Sequence, residues 1–338
     1  MKYPKFIEKN NIIAVPAPSD GAYCNEDIKR YENAKKNLEK MGYIVEISKN
    51  IFNSKIGRST NAIKRAKEIN EMFEDSRINA ILCAAGGEFL MEILPYVEFE
   101  KIVENPKWVI GFSDPTGILF PITTKYDIAT IYSNNFKSFG MKELHKSLKD
   151  NLEILNGNIV IQNSYNLYEN NRIERVTGLE GYNLDSKVCW KTLDNKETMV
   201  KGRIIGGCLD IIAQELVGTK YDGINQFNEK YKTDGIIWYF DNCEQSKEDI
   251  IRILWKFNEM EYFKYTKAVI FGRNGIDKSC FNYTMEQTII DSVLAKLNIP
   301  IIYDTDISHK GPSMTIINGA IATIFVKEGK GSIKFELK

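Results

Sequence analysis

Five short apolar runs, at residues 12–17, 43–47, 79–85, 108–111 and 128–132, are separated by charged segments whose apolar residues recur at helical spacing. This alternation is the strongest constraint in the chain. Strands apolar on both faces bury both faces, and helices between them supply the cover, so the pattern predicts a parallel sheet packed on both sides. The punctuation agrees. Pro16, Pro18 and Ser19 close the first run, a helix over 26–41 stops at Gly42, and 61–74 reads as a second amphipathic helix. The run at 79–85 ends in Gly86-Gly87 with a helix expected from Glu88, and the run at 108–111 passes almost at once into SDPT.

The second half reads differently. Residues 141–200 are rich in Asn, Glu and Lys, with a linker near 145–160 and extended, loop-rich chain beyond it. A GRIIGG segment at 202–207 precedes a helix over 209–217. Strands at 235–240 and 268–272 precede helices over 247–260 and 284–297, and β structure follows from 301. The expected fold is therefore α/β. A Rossmann- or flavodoxin-like parallel-sheet domain spans 1–150, variable loops span 151–200, and a smaller β-rich α/β domain spans 201–338.

Composition excludes several functions. Lys plus Arg number 45, as do Asp plus Glu, so the formal net charge is zero and nothing draws the chain generally to nucleic acid or an anionic membrane. No apolar stretch approaches the length of a membrane span, and the N-terminus lacks a signal-peptide core, which makes the cytoplasm the expected compartment. The six cysteines contain no C-x-x-C pair and read as reduced thiols. Only His145 and His309 are present, so a multi-histidine metal site is excluded and a histidine base has two candidates. No metal or cofactor is expected.

The sharpest local feature is Gly111-Phe112-Ser113-Asp114-Pro115-Thr116. A strand running through a tight turn into a helix lifts a serine oxygen above the sheet edge, where backbone N–H groups face a developing oxyanion. Gly86-Gly87 ends another parallel strand on the same edge, and glycine lets the backbone approach a ligand closely. His309 lies in a polar loop, whereas His145 lies in KELHKSLKD, a solvated helix face, so position favours His309 as base. The strand GIIWYF ends in Asp241-Asn242-Cys243-Glu244. Asp241 and Glu244 both qualify to orient a histidine, and nothing nearby would activate Cys243.

Taken in order, these segments resemble the LD-carboxypeptidase family of serine peptidases, which includes the microcin C self-immunity hydrolases. The resemblance rests on VPAPSDG at 15–21, CAAGG with ILPYVEFEKIVENPK after it, GFSDPT at 111–116, GRIIGGCLDIIAQELVGTKYD at 202–222, DGIIWYFDNCE at 234–244 and SHKGPSMTIINGA at 308–320. It implies a Ser-Glu-His triad. The serine falls on Ser113, the histidine on His309 and the glutamate on Asp241, one methylene shorter than the family residue. Ser308 stands where the family has glycine before the histidine. The oxyanion hole maps to the backbone of Gly87 and Asp114, with the site between two domains of a homodimer.

The expected function is hydrolysis of an amide in small peptides, with the terminal D-alanine of a murein tetrapeptide as the substrate in cell-wall recycling. The alternative is an immunity hydrolase acting on a peptide- or aminoacyl-nucleotide amide, where Trp190 and Tyr182 would stack on a base. Gly86, Glu244 and Trp190 are the expected further substrate contacts. A second alternative, from another class, is a small-ligand-binding protein that kept the fold and lost turnover.

Overall fold

The computed structural model describes residues 1–338. The five apolar runs of the first half become strands β1 (Ile12–Val15), β2 (Ile44–Ile47), β3 (Ile78–Leu82), β4 (Trp108–Gly111) and β5 (Thr130–Tyr132). All pair in parallel, in the order β2-β1-β3-β4-β5. That is the flavodoxin-like order, in which a ligand crevice opens beyond the carboxyl ends of the strands where the order reverses, between β1 and β3. Helices Asn25–Lys40 and Ala62–Glu74 return the chain between strands, and Asn61 caps the second by accepting the Lys64 N–H. The helix expected from Glu88 is instead a 3₁₀ turn over Leu90–Tyr96, which contains Pro95. A proline inside a helix removes one backbone donor and disfavours continuation.

The remaining strands are β6 (Gln162–Asn163), β7 (Leu167–Tyr168), β8 (Ser186–Lys187), β9 (Lys191–Thr192), β10 (Thr198–Cys208), β11 (Ile236–Asp241), β12 (Thr266–Gly272), β13 (Ile301–Thr305), β14 (Ile316–Asn318), β15 (Ile321–Lys327) and β16 (Lys330–Glu336). Strands β10 to β13 form the parallel centre of an eight-stranded sheet. Antiparallel β15, β16 and β6 flank it on one side and β9 on the other.

β14 departs from the division drawn from sequence. It lies within 201–338 yet pairs antiparallel with β5, Ile316 opposite Tyr132, and closes the edge of the first sheet. One contiguous cluster of 88 buried apolar residues takes in both sheets. The carboxyl ends of β4 and β11 and the loop after β13 are thereby held against each other. No helix is long and apolar enough to cross a membrane.

Candidate active site

The turn after β4 places Ser113 at φ +69°, in the left-handed region that a serine occupies only under constraint. Gly111 allows the turn, because a Cβ there would stand 2.4 Å from Pro115 Cβ. Gly86 lies against the elbow, where an added Cβ would be 3.1 Å from Ser113 Cβ. Ser113 Oγ is 2.9 Å from His309 Nε2, and His309 Nδ1 is 2.8 Å from Asp241 Oδ1. These three side chains come from the first sheet, the loop after β13 and the last residue of β11. The Phe112 ring sits 4.7 Å from the imidazole, centroid to centroid, and walls one side of it.

Asp241 is fully buried. Its Oδ1 accepts both the His309 backbone N–H, at 3.1 Å, and the Nδ1 side of the ring, while Oδ2 accepts the Tyr132 hydroxyl at 2.7 Å. Burial, with the adjacent Asp241 charge, pushes the Tyr132 phenol well above its ordinary pKa, so it remains a donor. Burial works against a charge on His309, but the Asp241 carboxylate outweighs it and holds the imidazole above its ordinary value. Tyr132 is a site residue that sequence reading missed. Its one signal was its place at the end of an apolar strand parallel to the elbow strand.

Gly87 and Asp114 follow β3 and β4, and neither backbone N–H makes a hydrogen bond within the chain. Asp114 is buried, and its Oδ2 accepts the Ser19 hydroxyl and the Leu90 N–H. It thus ties together the segments that follow β1, β3 and β4. Burial pushes its carboxyl up from the usual range, and its other oxygen has no partner.

Ser308, the departure beside the histidine, is built into the loop. Its hydroxyl donates to the Arg273 carbonyl at 2.7 Å and accepts the Lys310 N–H at 2.9 Å. Arg273 in turn donates to Asp306 Oδ1 and to the Lys310 carbonyl, at 2.6 and 2.9 Å. The loop bearing the histidine is therefore pinned on both sides of it.

Two expected substrate contacts are corrected. Trp190 is 1% exposed, donates its indole N–H to the buried Asp306 at 2.9 Å, and packs so tightly on Gly331 that a Cβ there would stand 2.0 Å from the ring. Its large apolar face is consumed in the core, and it does not line the cavity over the serine. Glu244 is exposed and does not line the cavity over the serine. Its N–H, with those of Cys243 and the Gln245 side chain, is gathered by the Asp210 carboxylate at 2.8–3.0 Å. His145 accepts the Ser147 N–H at 3.1 Å as the cap of helix Lys146–Leu155.

Above Ser113 opens a cavity of about 500 Å³. Asp20, Gly86 and Gly87 line it beside the elbow, with His309 also in the wall, and Arg172, Arg175 and Tyr182 come from the loop between β7 and β8. No group of three or more His, Cys, Asp or Glu side chains is arranged to hold a metal ion.

Such an elbow serine with a histidine and a buried carboxylate in line suits acyl transfer. Comparison with known proteins agrees. Residues 13–133 match the LD-carboxypeptidase N-terminal domain and residues 201–324 the LD-carboxypeptidase C-terminal domain. A Vibrio cholerae protein named as a carboxypeptidase is 25% identical over 96% of this chain and 95% of its own. The microcin C7 self-immunity protein MccF of Escherichia coli is 26% identical over 82% of this chain and 80% of its own. The structure of MccF in complex with aspartyl sulfamoyl adenosine superposes with a TM-score of 0.82 at 21% identity, over 99% of each chain, and so shares the fold.

Proposed function

The chain belongs to the LD-carboxypeptidase family and is a serine peptidase or hydrolase, and from that premise we propose that Ser113, His309 and Asp241 are its catalytic triad. The observation that carries the reading is the unbroken line Ser113 Oγ–His309 Nε2–His309 Nδ1–Asp241 Oδ1, with links of 2.9 and 2.8 Å. Ser113 Oγ attacks the amide carbonyl carbon while His309 Nε2 takes its proton. The oxyanion develops toward the free N–H groups of Gly87 and Asp114. The tetrahedral intermediate collapses as His309 returns the proton to the leaving amine, and Ser113 is left acylated. Water, deprotonated by the same nitrogen, releases the acid. Asp241 holds the productive tautomer and stabilises the imidazolium.

The substrate we propose is a small peptide that loses a terminal D-alanine, as in murein recycling, within the cytoplasm. A peptide- or aminoacyl-nucleotide amide is the second reading. It is favoured by Tyr182, whose ring stands in the cavity wall with its hydroxyl donated to Asn134 at 3.1 Å. Incubating the purified protein with murein tetrapeptide and with an aminoacyl-nucleotide amide, followed by mass spectrometry, decides between them. Release of neither product overturns both. The homodimer implied by the family is tested by sedimentation velocity of the same preparation.

Gly87→Ala tests the oxyanion role. An added Cβ would stand 2.1 Å from Ser19 Oγ, so the Gly87 N–H must move. Loss of one oxyanion donor costs roughly 10²- to 10³-fold in kcat. Steady-state kinetics on a variant with unchanged circular dichroism checks this, and an unaltered kcat would remove Gly87 from the mechanism.

Only neutral His309 can act as base. Its pKa is held above the ordinary histidine value of about 6.5, so activity is lost as pH falls through a midpoint above that value. In Asp241→Asn the supporting charge is gone, burial dominates, and the acid limb moves down. Profiles of kcat/KM for both proteins measure it, and an unmoved limb contradicts the assignment.

A further inference from the structure

The loop between β7 and β8 covers the cavity with donors that the proposed hydrolysis does not use. Asn134 is 7% exposed and lines the cavity; its Oδ1 accepts the Tyr182 hydroxyl, and its Nδ2 has no partner. Arg172 donates one nitrogen, Nη2, to the His309 carbonyl at 2.8 Å, and its other donors are free. Arg175 has one acidic neighbour, Asp27, at 3.9 Å, and Asp27 is already held by Lys137 at 2.6 Å. Arg30, buried in the same wall, donates only to carbonyls, those of Lys137, Gly178 and Glu180.

None of the acids lining the cavity is ion-paired with Arg172 or Arg175. Glu180 Oε1 is taken up by Val176 and Thr177 of its own turn. Glu169 accepts the Asn183 N–H at 2.9 Å. Asp20 accepts the Gly21 N–H and keeps one buried oxygen free, but it stands against Gly87, where an added Cβ would be 3.1 Å from Asp20 Cβ. Glu169 and Glu180 of the same loop balance the charge of Arg172 and Arg175, but the guanidinium donors themselves are left unoccupied by any lining carboxylate, on the loop that touches the histidine.

We infer that Asn134, Arg172 and Arg175 form a receptor for an oxyanion of the substrate, a carboxylate or a phosphate, placed beside the leaving nitrogen. The side follows from the chemistry. His309 must hand its proton to the leaving amine, so the group that braces His309 from the cavity wall faces the leaving half. A guanidinium suits both oxyanions through its fork of donors, and a buried amide donor without a partner is satisfied when the ligand enters. Arg172 is then a specificity residue that also links ligand binding to the seat of the base. This inference rests on the hydrolase reading above.

The test pairs charged and neutral ligands. Murein tetrapeptide ending in D-alanine is compared with its C-terminal amide, and AMP with adenosine as inhibitors of the same reaction. Hydrogen bonds to charged groups correspond to roughly 10- to 100-fold in affinity, so the charged member of at least one pair is preferred by that factor. Preference confined to the peptide pair names a carboxylate as the ligand, and preference confined to AMP names a phosphate. Arg172→Gln is expected to remove the preference through KM, and Arg172→Lys to restore part of it. If Arg172→Gln instead lowers kcat equally for acid and amide, the residue only braces His309 and the inference is overturned. If the wild-type protein turns over neither peptide, the hydrolase reading falls by itself. Calorimetric binding of the same pairs to Ser113→Ala protein then decides the receptor, and equal affinity for the charged and neutral members overturns it.

Discussion

Ser113→Ala protein is expected to fold normally and to lose hydrolysis on the order of 10⁶-fold in kcat, the scale seen when a serine nucleophile is removed. The Ser113 hydroxyl has one partner in the chain, His309 Nε2 at 2.9 Å, so its removal leaves no other group unsatisfied. Alanine meets the same left-handed backbone at φ +69° as serine does, and the cost to stability is about 1 kcal/mol or less. Thermal unfolding and single-turnover mass spectrometry read the two effects separately. A fluorophosphonate should label the wild-type protein at Ser113 and leave the variant unlabelled. Turnover by the variant near the wild-type rate would mean that another group attacks the carbonyl.

Asp241→Asn is expected to cost on the order of 10⁴-fold, as in the best-studied triad, because an amide keeps the shape but neither selects the tautomer nor balances the imidazolium. Asp241→Glu is the more telling companion. Asp241 has no exposed surface, and His309 and Tyr132 contact its two oxygens at 2.7–3.1 Å, so the site is fitted to the shorter side chain. An extra methylene pushes the imidazole off line, and a misplacement near 1 Å costs roughly 10²-fold. The family's longer glutamate is thus expected to lower the rate here. Glu244→Gln, at an exposed position outside the cavity lining, should change the rate little. Rates for the three variants settle the acid, and a severe loss only in Glu244→Gln would reassign it.

Much of this protein is legible without coordinates, for reasons that are local. Runs apolar on both faces, separated by amphipathic helices, specify a parallel sheet, because burial is written residue by residue along the chain. The strand-turn-helix around Ser113 is equally local, since Gly111 and Pro115 belong to the same turn as the serine. The scarcity of histidine narrowed the base to two positions, one of them in a charged segment that reads as a solvated helix face.

What the tertiary structure decided are the meetings of distant segments. Asp241 rather than Glu244 meets the histidine, while the Glu244 amide is held by Asp210, more than thirty residues earlier. Trp190 looked available in a polar stretch, but the docking of Asp306 and Gly331 buries it. Tyr132 reaches Asp241, β14 crosses to the first sheet, and Asp114 ties three strand ends together. None of these has a periodic signature. Periodicity records which face of an element is buried, whereas the partner of a buried polar atom is set by how two sheets dock, and that is a property of the folded whole.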